Sequence, residues 1–291
     1  MIEYEYRDAE YEYEKCQSKS DTQPLTANRQ PPTLIRSILK LCPASVCEFV
    51  DDMHLFTHSL PTPEENLALE EAWLDMAEEG LLQTEILRLW QPESTFVVIG
   101  RGSRIAGEVN LAAAEEAGVP VLRRVSGGAA VVAAEGCLMY AVLLSYRQRP
   151  HLRMLDQAHR TVMESLTEAI RPLESRLQWD GTCDLVVNAR KVSGNSLRCR
   201  RDWMLYHGTL LLHMDLGLLD RFLLHPPREP EYRQKRPHTE FVANLELPES
   251  SVRAELCRVW GTELTELPVP QDRIERLVQQ RYANRAWNFG R

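Results

Sequence analysis

The stretch of sequence that decides the fold is Asp184-Leu185-Val186-Val187-Asn188-Ala189-Arg190-Lys191-Val192-Ser193-Gly194-Asn195. An apolar strand leads to a single lysine, and the small polar residues directly after it predict a tight turn. A second apolar strand is predicted at 209–213. This order would fix the Lys191 ammonium at a strand end beside backbone donors, which suits a carboxylate joined to a phosphate. The plainer interpretation is an exposed hairpin lysine, as most lysines are.

A second motif, Arg123-Arg124-Val125-Ser126-Gly127-Gly128, is predicted at another strand end. Paired glycines let the backbone approach a ligand closely and expose amide donors. Two arginines beside them add permanent positive charge suited to phosphate. A glycine turn flanked by surface arginines would look the same, so the motif becomes specific only together with Lys191.

Three further side chains have the chemistry of catalytic groups. His207 precedes Gly208 in an apolar strand, where a histidine acts either as a structural hydrogen-bonding group or as a general base. Cys137 enters an apolar strand and Cys183 directly precedes Asp184. Either thiol could be a nucleophile if a neighbouring cation lowered its pKa, and either could instead be a small buried apolar residue.

Composition excludes several classes of protein. The chain has 291 residues, 44% of them hydrophobic, which is enough for one large domain or two small ones. Its net charge of −8 and pI near 5.6 argue against a nucleic-acid partner. No apolar run approaches the ~20 residues that span a bilayer, and the acidic start is no secretory signal, so no membrane partner is expected. Seven cysteines without CxxC spacing indicate reduced thiols in a cytoplasmic protein and no metal site.

The first 52 residues differ from the rest of the chain. They begin acidic and tyrosine-rich, and prolines 24, 31 and 32 interrupt any helix. We interpret 1–52 as a disordered extension or as the product of an overlong gene prediction, since Met53 opens an ordinary domain start. Residues 53–291 are predicted to form the catalytic domain, which ends in a short helical tail.

Hydrophobic periodicity places strands and helices along 53–291 in an irregular order. Strands are predicted at 85–90, 95–100, 119–124, 130–132 resuming at 138–145, 185–187 and 209–213, and helices at 63–79, 111–117, 155–170, 216–224, 251–260 and 274–282. Thr62 and Pro63 give the first helix a clear start, and Ser250 or Ser251 is the predicted cap of the helix at 251. Because the strands do not alternate strictly with helices, the predicted fold class is α+β, with mixed or antiparallel sheets flanked by helices.

Taken together, these segments resemble the lipoate–protein ligase A family, within the wider biotin/lipoate ligase and octanoyltransferase fold, which is class II synthetase-like. The matching pieces occur in the family's order over about 53–260: Glu65-Asn66-Leu67-Ala68-Leu69-Glu70, Val97-Val98-Ile99-Gly100-Arg101, Arg123–Gly128, Asp184–Asn195 and His207-Gly208-Thr209-Leu210.

The resemblance implies an activity, its ligands and its site. A family ligase joins lipoate to ATP with Mg²⁺, then passes the acyl group to a lysine of a lipoyl-domain or H-protein-like acceptor. The resemblance makes Lys191 the catalytic residue, in contact with the carboxylate and the adenylate phosphate. The residues it implies for ligand binding are Arg123, Arg124, Ser126, Gly127, Gly128, Ala129, Ala130, Val131, Val132, Asp184, Ser193, Gly194, Arg198, His207 and Gly208.

The chain departs from the family pattern at a few positions and leaves other functions open. Ala129 replaces a third glycine, Ala133 and Ala134 replace a histidine and an aspartate, and Cys183 replaces an asparagine. One alternative is an ATP-independent octanoyl or lipoyl transferase that uses a thioester on Cys183 or Cys137. Another is a degenerate scaffold that binds a carrier without chemistry. Biotin ligase fits less well, because the longer basic glycine loop is missing.

Overall fold

The computed structural model describes residues 53–264, 267 and 269–290, so the predictions for 1–52 lie outside the described residues. The strands are β1 (Met53–Phe56), β2 (Ile86–Trp90), β3 (Phe96–Ile99), β4 (Val121–Arg123), β5 (Val131–Ala133), β6 (Cys137–Ser145), β7 (Gln178–Asp180), β8 (Asp184–Val187), β9 (Arg190–Cys199), β10 (Trp203–Leu211) and β11 (Thr262–Leu264). The α-helices are α1 (Pro63–Glu78), α2 (Ile105–Glu108), α3 (Leu111–Glu116), α4 (Leu155–Ile170), α5 (Gly217–Phe222), α6 (His238–Phe241), α7 (Glu249–Trp260), α8 (Gln271–Leu277) and α9 (Arg285–Phe289).

The strands form two mixed sheets, which confirms the predicted α+β class. The large sheet has eight strands in the order β11-β1-β2-β6-β10-β9-β8-β7, and the small sheet has three in the order β4-β3-β5. Strand β1 is parallel to both its neighbours, whereas the β2-to-β7 part is antiparallel. In the small sheet, β3 runs parallel to β4 and antiparallel to β5.

Alternating side chains of the large sheet pack against helices on both faces. On one face, Leu69 of α1 shares a buried cluster with Ile86. On the other, Val162 of α4 and Leu256 of α7 share a cluster with Leu87. Because neighbouring residues of a strand point to opposite faces, Ile86 and Leu87 serve different layers. The small sheet packs with α5 and α6 in a third cluster.

Helix α1 begins as its sequence predicts. The Thr62 hydroxyl accepts a hydrogen bond from the Glu65 N–H at 3.2 Å, and the Glu65 carboxylate accepts one from the Thr62 N–H at 3.0 Å. This reciprocal capping box satisfies two backbone donors that the first turn would otherwise leave unpaired. Pro63 fits the first helical position because that position needs no N–H donor.

Thr62→Ala is expected to lower the free energy of unfolding by about 0.5–2 kcal/mol, the usual cost of losing an N-cap side chain. Urea denaturation monitored by circular dichroism measures this loss. Thr57→Ala, at an exposed threonine outside any helix, is the matched control and should change stability far less. Equal effects of the two variants would contradict the role given to the cap.

The hairpin that carries Lys191 corrects one prediction. The tight turn lies before the lysine, at Asn188 and Ala189, whose φ values are 51° and 58°. Two successive positive φ angles make the two-residue turn that best joins twisted antiparallel strands. The turn predicted directly after Lys191 is wrong, since the small polar residues that follow the lysine lie inside β9. Gly194 instead makes room for the lysine: a Cβ there would lie 2.9 Å from Lys191 Cε.

Two other element predictions are corrected. Residues 130–132 and 138–145 do not belong to one interrupted strand: β5 pairs in the small sheet and β6 in the large one. Gly136, with a φ of 82°, makes the turn that redirects the chain between them. The helix predicted to start at a Ser250 or Ser251 cap begins earlier, at Glu249, after Pro248.

Candidate functional site

A cavity of about 650 Å³ lies among the small sheet, the middle of β9 and β10, and the loop at 226–238. Most of the predicted site residues line it: Arg124, Gly128, Ala129, Ala130, Val131, Val132, Asp184, Lys191, Ser193, Gly194, His207 and Gly208. The remaining predicted residues do not: Arg123, Ser126, Gly127 and Arg198. Two motifs more than fifty residues apart in the chain therefore form one cavity.

Lys191 is held at the cavity wall by an acid. Its ammonium lies 2.7 Å from a carboxylate oxygen of Asp184, and the lysine side chain is 28% exposed. The second oxygen of Asp184 accepts a hydrogen bond from the Tyr232 hydroxyl at 2.7 Å. Burial, then the Asp184 charge, raises the pKa of Tyr232, so the phenol stays neutral and donates. The cation is thus positioned before any ligand arrives.

The glycine run beside it, Gly127-Gly128, has one position with a backbone angle that favours glycine. Gly128 has a φ of 87°, which glycine adopts without steric cost. A Cβ at Gly100 would overlap the Gly128 carbonyl oxygen, so the two segments can approach only as glycines. Ala129 is not among the residues with positive φ, so its methyl group carries no left-handed strain.

Arg124 holds the glycine run through hydrogen bonds to its backbone. Its guanidinium donates to the carbonyl oxygens of Gly127 and of Ala129, the latter at 3.1 Å. Burial lowers the pKa of Arg124 to about 10, against the opposing effect of the Glu108 charge, so it remains a cation at neutral pH. Glu108 in turn accepts a hydrogen bond from the Ala130 N–H at 2.6 Å. This end of the cavity combines a cation with the turn of a glycine run.

A hydrogen-bonded chain joins helix α1 to the glycine run through His207. Its Nδ1 lies 2.7 Å from Glu70 Oε2, and its Nε2 lies 2.6 Å from Ser126 Oγ. Burial raises the pKa of Glu70, but the His207 hydrogen bond and charge, with Arg88, more than offset it, so the pKa is lowered. Ser126 is only 1% exposed, so its hydroxyl orients neighbours and has no access for nucleophilic attack.

Arg123 and Arg198 are placed away from the ligand space. The Arg123 guanidinium is buried and donates to the carbonyl oxygens of Gly100 at 2.8 Å and Ser103 at 2.8 Å. Arg198 lies half-buried in β9, opposite Leu205 of β10. Of the three arginines predicted to bind ligand, only Arg124 lines the cavity.

The two candidate thiols differ sharply. Cys183 lines the cavity, and its thiol donates to the Asn195 carbonyl oxygen at 3.1 Å. Cys137 is fully buried in the apolar cluster of the small sheet, and burial raises the pKa of its thiol to about 12. Because the thiolate is the nucleophile, Cys137 is unsuited to a thioester mechanism.

Three residues that line the cavity were not among the predicted site residues: Glu70, Glu108 and Tyr232. Glu70 had a signal, because an acid within the apolar run 67–74 predicts a buried charge with a partner. Glu108 and Tyr232 had none, since their partners lie 22 and 48 residues away.

The described residues contain neither a cluster of metal ligands nor a membrane-spanning helix. No three His, Cys, Asp or Glu side chains in 53–264, 267 and 269–290 are grouped so that they could hold a metal ion. Over the same ranges, none of the helices combines the length and the apolar character needed to cross a bilayer.

Comparisons with known proteins identify the family of the chain. The model of the lipoyl protein ligase A/B catalytic domain matches residues 62–256. A protein named probable lipoate-protein ligase A from Mycoplasma pneumoniae is 28% identical over 250 residues, 82% of this chain and 71% of the relative. Octanoyltransferase LipM from Lysinibacillus sphaericus is 26% identical over 266 residues, 78% of this chain and 95% of the relative.

A solved structure shows the same fold. It is the bipartite lipoate protein ligase of Thermoplasma acidophilum, described together with its E2 lipoyl domain. The TM-score is 0.67 at 22% identity, and the match covers 82% of this chain and 96% of that one. At this identity the likeness concerns the fold.

Proposed function

The chain belongs to the lipoyl protein ligase A/B catalytic domain family, and from that premise we propose that it is a lipoate–protein ligase. It would activate lipoate or octanoate with ATP and transfer the acyl group to a lysine of a lipoyl-domain or H-protein-like acceptor. The observation that carries the proposal is that Lys191, Arg124 and the glycine run line one cavity together with apolar side chains.

The cavity lining combines the two kinds of surface that an acyl-adenylate needs. Apolar side chains suit the hydrocarbon chain of lipoate or octanoate equally well, and include Leu67, Val98, Met139, Leu211 and Phe241. The same lining offers the Lys191 ammonium and the Arg124 cation beside the glycine run. An acid with an apolar tail would therefore bind with its carboxylate next to the nucleotide phosphates.

Two half-reactions follow. First, a carboxylate oxygen attacks the α-phosphorus of ATP, the bond to the β-phosphate breaks, and pyrophosphate leaves. In the second half-reaction, the acceptor lysine first loses one proton to water. Its neutral amine then attacks the acyl carbonyl, the carbon–oxygen bond to the phosphate breaks, and AMP leaves. The nitrogen finally loses its second proton. Lys191 stabilises the negative charge that develops in both transition states, as a preorganised donor does. Asp184 and Tyr232 hold it in place.

Magnesium is expected to enter with the triphosphate. The described residues offer no ready cage of three ligands, and Mg²⁺ beside nucleotides is commonly held by phosphates with one or two carboxylates. Asp184 and Glu108 are cavity-lining carboxylates that could supply this contact. Bound there, the ion would neutralise phosphate charge.

A second candidate function is ATP-independent acyl transfer through Cys183. The observation that favours it is the position of this thiol in the cavity wall, one residue from Asp184. The Cys183 thiolate would attack the carrier thioester, whose carbon–sulfur bond breaks to release the carrier thiol. The neutral amine of the acceptor lysine would then attack the new thioester, releasing the Cys183 thiolate and one proton from the nitrogen. Cys137 is not proposed for this role, because its thiol is buried with a raised pKa.

The deciding experiment supplies an apo lipoyl domain with either lipoate and ATP or an octanoyl carrier protein without ATP. Mass spectrometry of the acceptor reports the product, and AMP and pyrophosphate are quantified in parallel. ATP-dependent modification supports the ligase. Transfer without ATP supports the second candidate, and binding of the acceptor without any product contradicts both.

Cys183→Ser separates the two chemistries. For a ligase, we expect ATP-dependent modification to continue near the wild-type rate, because the thiol takes no part in adenylate formation. For a thioester transferase, the same change should abolish transfer, since serine at this position lacks the thiolate. Cys257→Ser, at a half-buried cysteine of α7 away from the cavity, is the matched control.

A further inference from the structure

The C-terminal helix α9 reaches back to the start of the glycine motif. Arg123 Nε donates to the Trp287 carbonyl oxygen at 3.1 Å, and its Nη2 donates to the Asn288 carbonyl oxygen at 3.0 Å. The Arg123 backbone N–H donates to the Asn288 side-chain oxygen at 2.9 Å, and the Trp287 indole N–H donates to the Arg123 carbonyl oxygen at 2.9 Å. Trp287 and Asn288 lie outside the 62–256 match to the family model, whereas Arg123 lies within it.

The other arm of the same guanidinium holds a second segment. Arg123 Nη1 donates to the carbonyl oxygens of Gly100, Arg101 and Ser103, at 2.8, 3.1 and 2.8 Å. Arg123 is 1% exposed, so each carbonyl dipole compensates part of the cost of burying its charge. Losing an acceptor would leave a buried donor unpaired, which makes this arrangement cooperative.

That second segment contacts the glycine run directly. The Arg101 N–H donates to the Ser126 carbonyl oxygen at 2.8 Å, and the Ser103 hydroxyl donates to the Gly128 carbonyl oxygen at 3.1 Å. The Gly128 carbonyl oxygen also lies against Gly100, where a Cβ would have no room. A continuous path of contacts therefore runs from α9 through Arg123 and 100–103 to the glycine run.

We propose that α9 is a brace, formed by Trp287 and Asn288, that acts through Arg123 to position the glycine run for nucleotide. Arg123 is then a positioning residue, and Arg124 supplies the cation that faces the ligand. The inference rests on the proposed function, because it takes the glycine run as the nucleotide side of the cavity.

The anchoring of Asn288 supports this role. Its side-chain N–H donates to the Tyr282 carbonyl oxygen at 2.7 Å, and the residue is 5% exposed. Tyr282 in turn donates to the carboxylate of Glu71 in α1 at 2.7 Å. The brace is therefore anchored to helix α1 through Tyr282 and Glu71, which keeps its position fixed.

The test compares the full wild-type chain with two brace variants, Asn288→Ala and Trp287→Phe. Steady-state assays measure adenylate formation while the concentrations of ATP and of lipoate are varied separately. Trp287→Phe removes the indole donor while keeping an aromatic ring, so it should fold even if Asn288→Ala does not. We expect each variant to raise the KM for ATP by about tenfold, the effect of 1.4 kcal/mol. The KM for lipoate should stay near the wild-type value. Arg285→Gln, at an exposed residue of the same helix, is the control and should change neither constant.

Three outcomes would overturn the brace. In the two brace variants, both KM values could rise together, or the thermal midpoint could fall with both KM values unchanged. Alternatively, Arg123→Lys could raise the KM for ATP while Asn288→Ala and Trp287→Phe leave it at the wild-type value. The last result would make Arg123 a direct nucleotide contact. Failure of the wild-type chain to use ATP at all would instead count against the proposed function, so the two failures are distinguishable.

Discussion

Lys191→Met is expected to reduce adenylate formation by about 10²- to 10³-fold, the usual consequence of removing one preorganised donor from a developing negative charge. The change also leaves Asp184 without its cation at 2.7 Å, so a negative carboxylate would face the entering carboxylate and phosphates. Both effects act in the same direction. The loss should appear mainly in kcat, because the charge that Lys191 stabilises is largest in the transition state.

Pyrophosphate exchange dependent on lipoate measures the first half-reaction without an acceptor. Lys235→Met removes the same charge from an exposed position outside the cavity lining and should leave exchange near the wild-type rate. Lys191→Arg keeps the charge but changes its shape, and we expect partial activity, since a guanidinium cannot replace an ammonium at a single point contact. Near-normal exchange by Lys191→Met would remove this lysine from the chemistry.

The accuracy of the sequence predictions depended on how local each signal was. The Thr62 cap, the helix after it and the strand that leads to Lys191 follow from residues within a few positions of one another, and the structure has them. The turn beside Lys191 was misplaced because Gly194 has two explanations, a turn or space for a neighbouring side chain, and sequence alone favours the first. Whether the Ala129 methyl group strains the backbone depends on the φ angle of that residue, which the fold determines and the sequence alone does not.

Contacts between distant segments account for what the sequence could not predict. Arg123 and Arg124 are adjacent and chemically identical, yet one binds carbonyl oxygens of α9 and the other faces the cavity. Alternation along a strand predicts that neighbours point to opposite sides, but not which side holds the ligand. Tyr232 comes from a loop whose sequence carries no sign of its contact with Asp184.

Glu70 is a buried, ionised carboxylate close to apolar side chains, so its charge needs a compensating partner. Its charge is compensated first by the hydrogen bond and charge of His207 and then by Arg88, which is fully buried and lies 3.2 Å away. The Arg88 guanidinium also donates to the Asn66 carbonyl oxygen at 2.8 Å and to its side-chain oxygen at 2.6 Å. Burial lowers the pKa of Arg88 to about 10 despite the opposing Glu70 charge, so it is a cation at neutral pH. Arg88 is therefore a buried cation paired with the Glu70 carboxylate.

Arg88→Met is accordingly expected to lower the free energy of unfolding by about 3–5 kcal/mol, because it leaves the Glu70 charge buried without its cation. Urea denaturation measures the loss. Arg88→Met combined with Glu70→Gln should recover part of it, since replacing a buried pair together costs less than breaking it. Arg258→Met, which breaks a surface pair of a 53% exposed arginine, is the control and should cost far less, because solvent screens an exposed pair. Equal costs for the two arginines would contradict the compensation of Glu70 by Arg88.

The same pair predicts a dependence of stability on pH. The pKa of Glu70 is lower in the folded chain than in the unfolded one, so unfolding takes up a proton at acid pH. The stabilisation is complete above the unfolded pKa and is lost as pH falls through the folded pKa. Glu70→Gln removes the titrating group, and the free energy of unfolding of this variant should fall less steeply with acidification than that of the wild type. Parallel curves for the two proteins would mean that Glu70 contributes nothing through its charge, and the lost stability of Arg88→Met would then come from the hydrogen bonds to Asn66 alone.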